Sequence, residues 1–96
     1  MKLAIFYEYD IEDMEQIIEK WNEILKVEEG DYTKIYPQFL TDAYLFNGQT
    51  SGIQLCETDD PEKMNRLAMF WSPVLRMEYN PLIETSNAIE IWKANR

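Results

Sequence analysis

Residues 52–83, GIQLCETDDPEKMNRLAMFWSPVLRMEYNPLI, decide the fold of this chain. Gly52-Ile53-Gln54-Leu55-Cys56-Glu57 alternates apolar and polar side chains, the period-2 signature of a strand with one covered face. Thr58-Asp59-Asp60-Pro61-Glu62 then reads as a helix start. A carboxylate can cap the first free N–H groups, and proline follows where its missing N–H is not needed. Met64, Leu67, Ala68 and Trp71 recur at helical spacing. Beyond Ser72-Pro73, which ends or kinks the helix, alternation returns in Leu75, Met77 and Tyr79. The stretch is strand, helix, strand.

Working outward, Leu3, Ile5 and Tyr7 alternate with Ala4, Phe6 and Glu8 and predict a first strand whose second face is also largely apolar. Asp10 is the expected N-cap of a helix over 11–27, with Glu12 and Asp13 in the first turn, where negative charge suits the helix dipole. Ile11, Met14, Ile18, Trp21 and Leu25 form its apolar stripe, widened by Ile17 and Ile24. Gly30 is the expected stop signal. Asp31 to Pro37 shows no sustained period and reads as a loop or lead-in. Residues 39–46 predict a strand apolar on both faces, with Leu40, Tyr44 and Phe46 on one and Phe39, Ala43 and Leu45 on the other. Asn47-Gly48 then signals a hairpin. After a fourth strand over 75–80, Thr85, Ser86 or Asn87 caps a short helix containing Ala88, Ile89, Ile91 and Trp92.

The expected class is therefore α+β. The order β-α-β-β-α-β plus a C-terminal helix is ferredoxin-like, with a four-stranded antiparallel sheet and two helices on one face. Ninety-six residues make a single domain over 1–96 that buries roughly 60–70% of its unfolded surface. Its other sheet face would be open. Ala4, Phe6 and Cys56 alternate with residues that read as core-facing, so this face needs a cover. A second copy, pairing face to face, is the expected cover. The competing cover is the C-terminal helix folded back over its own sheet.

The formal charge of −9 repels phosphate backbones and anionic lipid surfaces, so neither nucleic acid nor membrane is an expected partner. Histidine is absent, which removes the commonest general base and metal ligand. One cysteine permits no internal disulfide, and no apolar run reaches the ~20 residues of a membrane span; the expected location is cytoplasmic. No cofactor and no metal are expected. Glu57, Asp59, Asp60 and Glu62 could offer oxygen ligands to Mg²⁺ or Ca²⁺, but their spacing lacks a calcium-loop pattern, and capping by Asp60, or failing that Asp59, accounts for them. Cys56 has no histidine to activate it and reads as a buried thiol.

Glu57-Thr58-Asp59-Asp60-Pro61, Trp71-Ser72 ten residues after the proline, and Met77-Glu78-Tyr79-Asn80-Pro81-Leu82-Ile83 together resemble the family called domain of unknown function 3303. The resemblance implies membership of the dimeric α+β barrel group and a homodimer built from two open sheet faces. It implies no reaction.

Tyr7, Glu8, Tyr44, Arg76 and Asn80 are the candidate ligand-binding residues. They lie on strands, and tyrosine beside a carboxylate or guanidinium can orient a small, partly apolar molecule held between the sheet and its covering elements. The same tyrosines also suit interface packing. No catalytic residue is assigned. The expected function is binding of a small molecule, with cofactor-independent catalysis as an option. The alternative is a protein-interaction or regulatory module without activity. Trp21, Trp71 and Trp92 read as core residues, with a tryptophan-lined pocket as the lesser option.

Overall fold

A computed structural model describes residues 1–27 and 29–95. In chain order it contains β1 (Lys2–Glu8), a 3-10 turn (Ile11–Asp13) leading into α1 (Met14–Leu25), α2 (Glu29–Ile35), β2 (Gln38–Phe39), β3 (Tyr44–Leu45), β4 (Ser51–Glu57), α3 (Pro61–Trp71), β5 (Arg76–Pro81) and α4 (Thr85–Ala94). The class is α+β. β1 runs antiparallel to β4 on one side and to β5 on the other, and β2 and β3 both pair with the far edge of β4.

The register decides which face is covered. Leu3, Ile5 and Tyr7 stand opposite Cys56, Gln54 and Gly52 on β4, and opposite Pro81, Tyr79 and Met77 on β5. Burying Leu3 and Ile5 therefore carries Gln54 and Cys56 inward and turns Ile53 and Leu55 outward. This corrects the placement of Cys56 on the uncovered side. Cys56 is fully buried in a core shared with Leu3, Ile5, Ile24 of α1, and Leu67 and Trp71 of α3. Burial of one such side chain, Leu67 at 1% exposure, is worth about 1.5–3 kcal/mol.

The expected strand over 39–46 is interrupted. β2 pairs Phe39 with Cys56, whereas β3 pairs Tyr44 with Ile53. Four residues, 40–43, thus oppose Leu55 and Gln54 alone, a two-residue bulge. Leu40 N–H donates to the Leu55 carbonyl at 2.9 Å. The Thr41 hydroxyl accepts from Leu55 N–H at 3.0 Å, and Gln54 Nε2 donates to the Thr41 carbonyl at 3.1 Å. These bonds satisfy the edge that the bulge leaves without a ladder partner. An even-numbered insertion keeps the side-chain alternation in phase. The hairpin turn follows, with Gly48 at φ +75°.

The helices differ in detail from the expectation. α3 begins as read: Asp60 Oδ1 accepts from Glu62 N–H at 2.9 Å, with Pro61 in the first turn. Asp10 is not a side-chain cap. Its carbonyl accepts from Asp13 N–H, while its carboxylate turns to Arg76. α1 ends at Leu25, and Gly30 lies inside α2 instead of stopping α1. The segment read as a loop forms α2 because Tyr32 and Tyr36 have aromatic partners: Tyr32 packs 5.3 Å from Phe39, and Tyr36 packs 6.0 Å from Phe70. α4 starts after Glu84 with no side-chain cap from Thr85, Ser86 or Asn87.

α4 does not cover its own sheet. All residues from Pro81 to Asn95 are exposed. The chain has a radius of gyration of 15.5 Å, against about 12–13 Å for a compact domain of this length. Among the described residues no helix is long and apolar enough to cross a membrane.

Candidate functional site

Only Ile24 of α1 is fully buried. The rest of its apolar stripe stands over the sheet, leaving Ile18 52% and Trp21 40% exposed. The gap is a cavity of about 320 Å³, walled by the sheet, α1 and α3. Ile5, Tyr7 and Gln54 form its floor, Ile17 and Trp21 one wall, and Leu67 and Trp71 the other. The Trp21 and Trp71 rings lie 6.4 Å apart. Phe39, Ala43 and Leu45 from the bulged edge close one side, so the bulge helps to shape the cavity.

Among the described residues the lining contains no charged side chain. Its polar groups are Tyr7, Tyr9, Gln54 and the two indoles. The Tyr7 hydroxyl donates to the Tyr44 carbonyl at 2.9 Å. Burial, and secondarily Tyr9, pushes the Tyr7 phenol above its ordinary value, so it stays neutral at pH 7. Gln54, 9% exposed, is held by its bond to Thr41. A neutral, largely apolar lining with a few fixed polar groups suits a neutral, partly apolar guest. An ionised one would lose its hydration without a counter-charge.

Three of the five expected site residues, Tyr7, Glu8 and Arg76, come together on one notch of the open sheet face. Of the five, Tyr7 alone lines the cavity under α1. Glu8 and Arg76 lie at the end of the sheet, where Arg76 Nε donates to Glu8 Oε1 at 3.0 Å and Nη1 donates to Asp10 Oδ2 at 3.3 Å. These bonds, Glu8 first, raise the guanidinium above its ordinary value. Tyr44 contributes its backbone carbonyl, while its side chain, 57% exposed, belongs to the open face. Asn80, opposite Ala4, also lies on the open face, and its Nδ2 is buried without a hydrogen-bond partner. Tyr7, Glu8 and Arg76 share a shallower notch of about 300 Å³ with Phe6, Phe46, Ser51 and Glu78.

Gln54 and Tyr9 are absent from the expected site, and Trp21 and Trp71 enter it only through the lesser option of a tryptophan-lined pocket. Gln54 carried a readable signal, a polar residue inside an otherwise apolar strand. Its inward orientation came only with the pairing to β1. The acidic cluster disperses: Asp60 caps α3, Asp59 pairs with the Met1 amino group at 2.6 Å, and Glu62 pairs with Arg66. The Asp59 carboxyl is held below its ordinary value by that hydrogen bond. Burial pushes the Cys56 thiol up to about 11, so it carries no appreciable thiolate at neutral pH.

Residues 39–96, more than half of the chain, match the family described as Domain of unknown function (DUF3303). The chain belongs to that family. The match covers the bulged edge, the hairpin, β4, α3, β5 and α4, and leaves out β1 and α1, which supply Tyr7 and Trp21. No curated protein and no solved structure matches the chain.

Proposed function

We propose that this member of the family is a homodimer of ferredoxin-like subunits, within the dimeric α+β barrel group, that binds a small, neutral, partly apolar molecule between its sheet and α1. One observation carries the binding reading: a cavity of about 320 Å³ beside the core, free of charged lining residues and bounded by two tryptophans, two tyrosines and a glutamine. The subunit topology is supported by the strand order β2/β3, β4, β1, β5 with α1 and α3 on one face. Pairing through the open face is supported by its apolar content: Phe6 is 40% exposed and Phe46 42% exposed, with Ile53 and Leu55 beside them. Among the described residues the lining holds no carboxylate, imidazole, thiol or amine, and Tyr7 and Tyr9 are its groups able to exchange a proton.

The test uses the neutral fluorophore N-phenyl-1-naphthylamine. Its emission should rise on binding, with energy transfer from Trp21 and Trp71. Ala43→Phe, which fills the cavity from its edge, should weaken binding at least tenfold. Absence of any signal at saturating probe, together with no retained molecule in native mass spectrometry, refutes the reading. The second reading, a protein-interaction module, draws on α4, whose Ile89 and Ile91 are 45% and 54% exposed.

A further inference from the structure

We propose that α4 is an exchange arm: in the dimer, the α4 helix of each copy packs on the β3–β4 end of the other copy's sheet, against Phe6 and Phe46. This deepens the dimer reading above and rests on it. The direction of the chain is the first argument. β5 ends at Pro81 and the chain goes on as Leu82, Ile83 and Glu84, with Leu82 N–H still donating to the Lys2 carbonyl. The connector holds no glycine and no residue with positive φ, and Glu84 is extended at φ −62°, ψ 140°. Nothing in it turns the chain back over its own sheet. α4 therefore leaves the subunit at the Lys2 end of β1 with Ile89 and Ile91 45% and 54% exposed.

The recipient lies at the opposite end. β1 runs from Lys2 to Glu8, and the notch beside Phe6 and Phe46 sits at the Glu8 end. A two-fold axis lying between two facing sheets and across their strands places the Lys2 end of one copy over the Glu8 end of the other. The three-residue connector then delivers α4 to the partner's notch. Leu45 and Phe46 there are 53% and 42% exposed.

Area and charge agree. A four-stranded face about 20 Å long and 19 Å wide offers about 400 Å² per copy, or about 800 Å² for the pair, less than the roughly 1,200–2,000 Å² that stable interfaces bury. Two ten-residue helices, each about 15 Å by 10 Å, lie on parts of those faces already counted, so their own surfaces add about 300 Å² and bring the contact to about 1,100 Å², past the roughly 1,000 Å² that a biological interface should clear. The outward strand residues carry Lys2 and Arg76 against Glu8, Glu57 and Glu78, a near balance within a chain of charge −9. The repulsive charge lies mostly elsewhere.

The experiment is intermolecular paramagnetic relaxation on the full-length chain. Glu90→Cys, on α4 but off the Ile89 face, carries a nitroxide on the unlabelled-nitrogen copy and is mixed with a ¹⁵N-labelled, spin-free copy; buried Cys56 is left unmodified. The spin-free copy should lose at least half of its amide intensity at Phe6, Phe46 and Ser51, and none at Asn65 or Arg66 on α3. In parallel, Ile89→Glu should raise the sedimentation dissociation constant at least tenfold. A dimer in which the Phe46 end keeps full intensity, or in which Ile89→Glu changes nothing, overturns the exchange while leaving the sheet-face dimer standing. A full-length chain that sediments as a monomer at 100 µM overturns both. Cavity binding is read separately by the fluorophore.

Discussion

Substitution of Gly52 by alanine tests the floor of the cavity. Gly52 stands between Tyr7 on β1 and Leu45 on β3. A Cβ built there would collide with the Tyr44 carbonyl oxygen and would lie 2.5 Å from the Tyr7 hydroxyl and 2.6 Å from Cζ of the ring. The tyrosine ring can swing aside, but a backbone carbonyl within a strand cannot. β3 must therefore move, and the Tyr7–Tyr44 hydrogen bond goes with it. Overpacking of this kind costs about 1–3 kcal/mol, and the lost bond about 0.5–1.5 kcal/mol. Together they amount to about 1.5–4.5 kcal/mol, a drop in melting temperature of at least about 6 °C for a domain of this size. Thermal unfolding followed by circular dichroism measures it. Tyr7→Phe should lose only the hydrogen-bond part. Adding Tyr7→Ala to Gly52→Ala should recover little, because the carbonyl clash remains. A Gly52→Ala protein melting within about 2 °C of the parent refutes the reasoning, since it would mean that the Tyr44 carbonyl gives way without loss.

Asp60→Ala removes the α3 cap and should lower stability by about 0.5–2 kcal/mol in urea unfolding; unchanged stability, with a melting point raised by Mg²⁺ or Ca²⁺, would mean that the carboxylates serve an ion instead. Burial holds the Cys56 thiol above its ordinary value of 9.0, at about 11, so its contribution is full below pH 9 and is lost as pH rises through 11. Tyr79, raised by burial from 10.0 to about 12, acts with the same sign from pH 10 upward. Urea midpoints should therefore fall between pH 9 and 11, and a flat profile would contradict the burial of both groups. A disulfide-exchange reagent at pH 8 should modify Cys56 only as fast as the fold opens; stoichiometric labelling of the native protein within a minute would place the thiol at the surface.

Local chemistry was enough to read β1, β4, α3 and β5, because each carries its own period and α3 carries its own cap. Asp60 next to Pro61 specifies a helix start whatever the rest of the chain does. The apolar character of both sheet faces was also legible, since Ala4 and Phe6 alternate with Leu3 and Ile5. Partner-dependent features were not. Gln54 faces inward and Leu55 outward because β4 pairs with β1 in one register, and alternation within a single strand does not name its inner side. The bulge at 40–43 escaped because two extra residues preserve that alternation. α2 is stabilised by aromatic rings 5–6 Å away that belong to distant parts of the chain. Asp10 reads as a cap, but the tertiary fold brings Arg76 to its carboxylate. The cavity is likewise a product of assembly. Its tryptophans look like core residues on isolated helices, and only the distance at which α1 crosses the sheet leaves a volume between them.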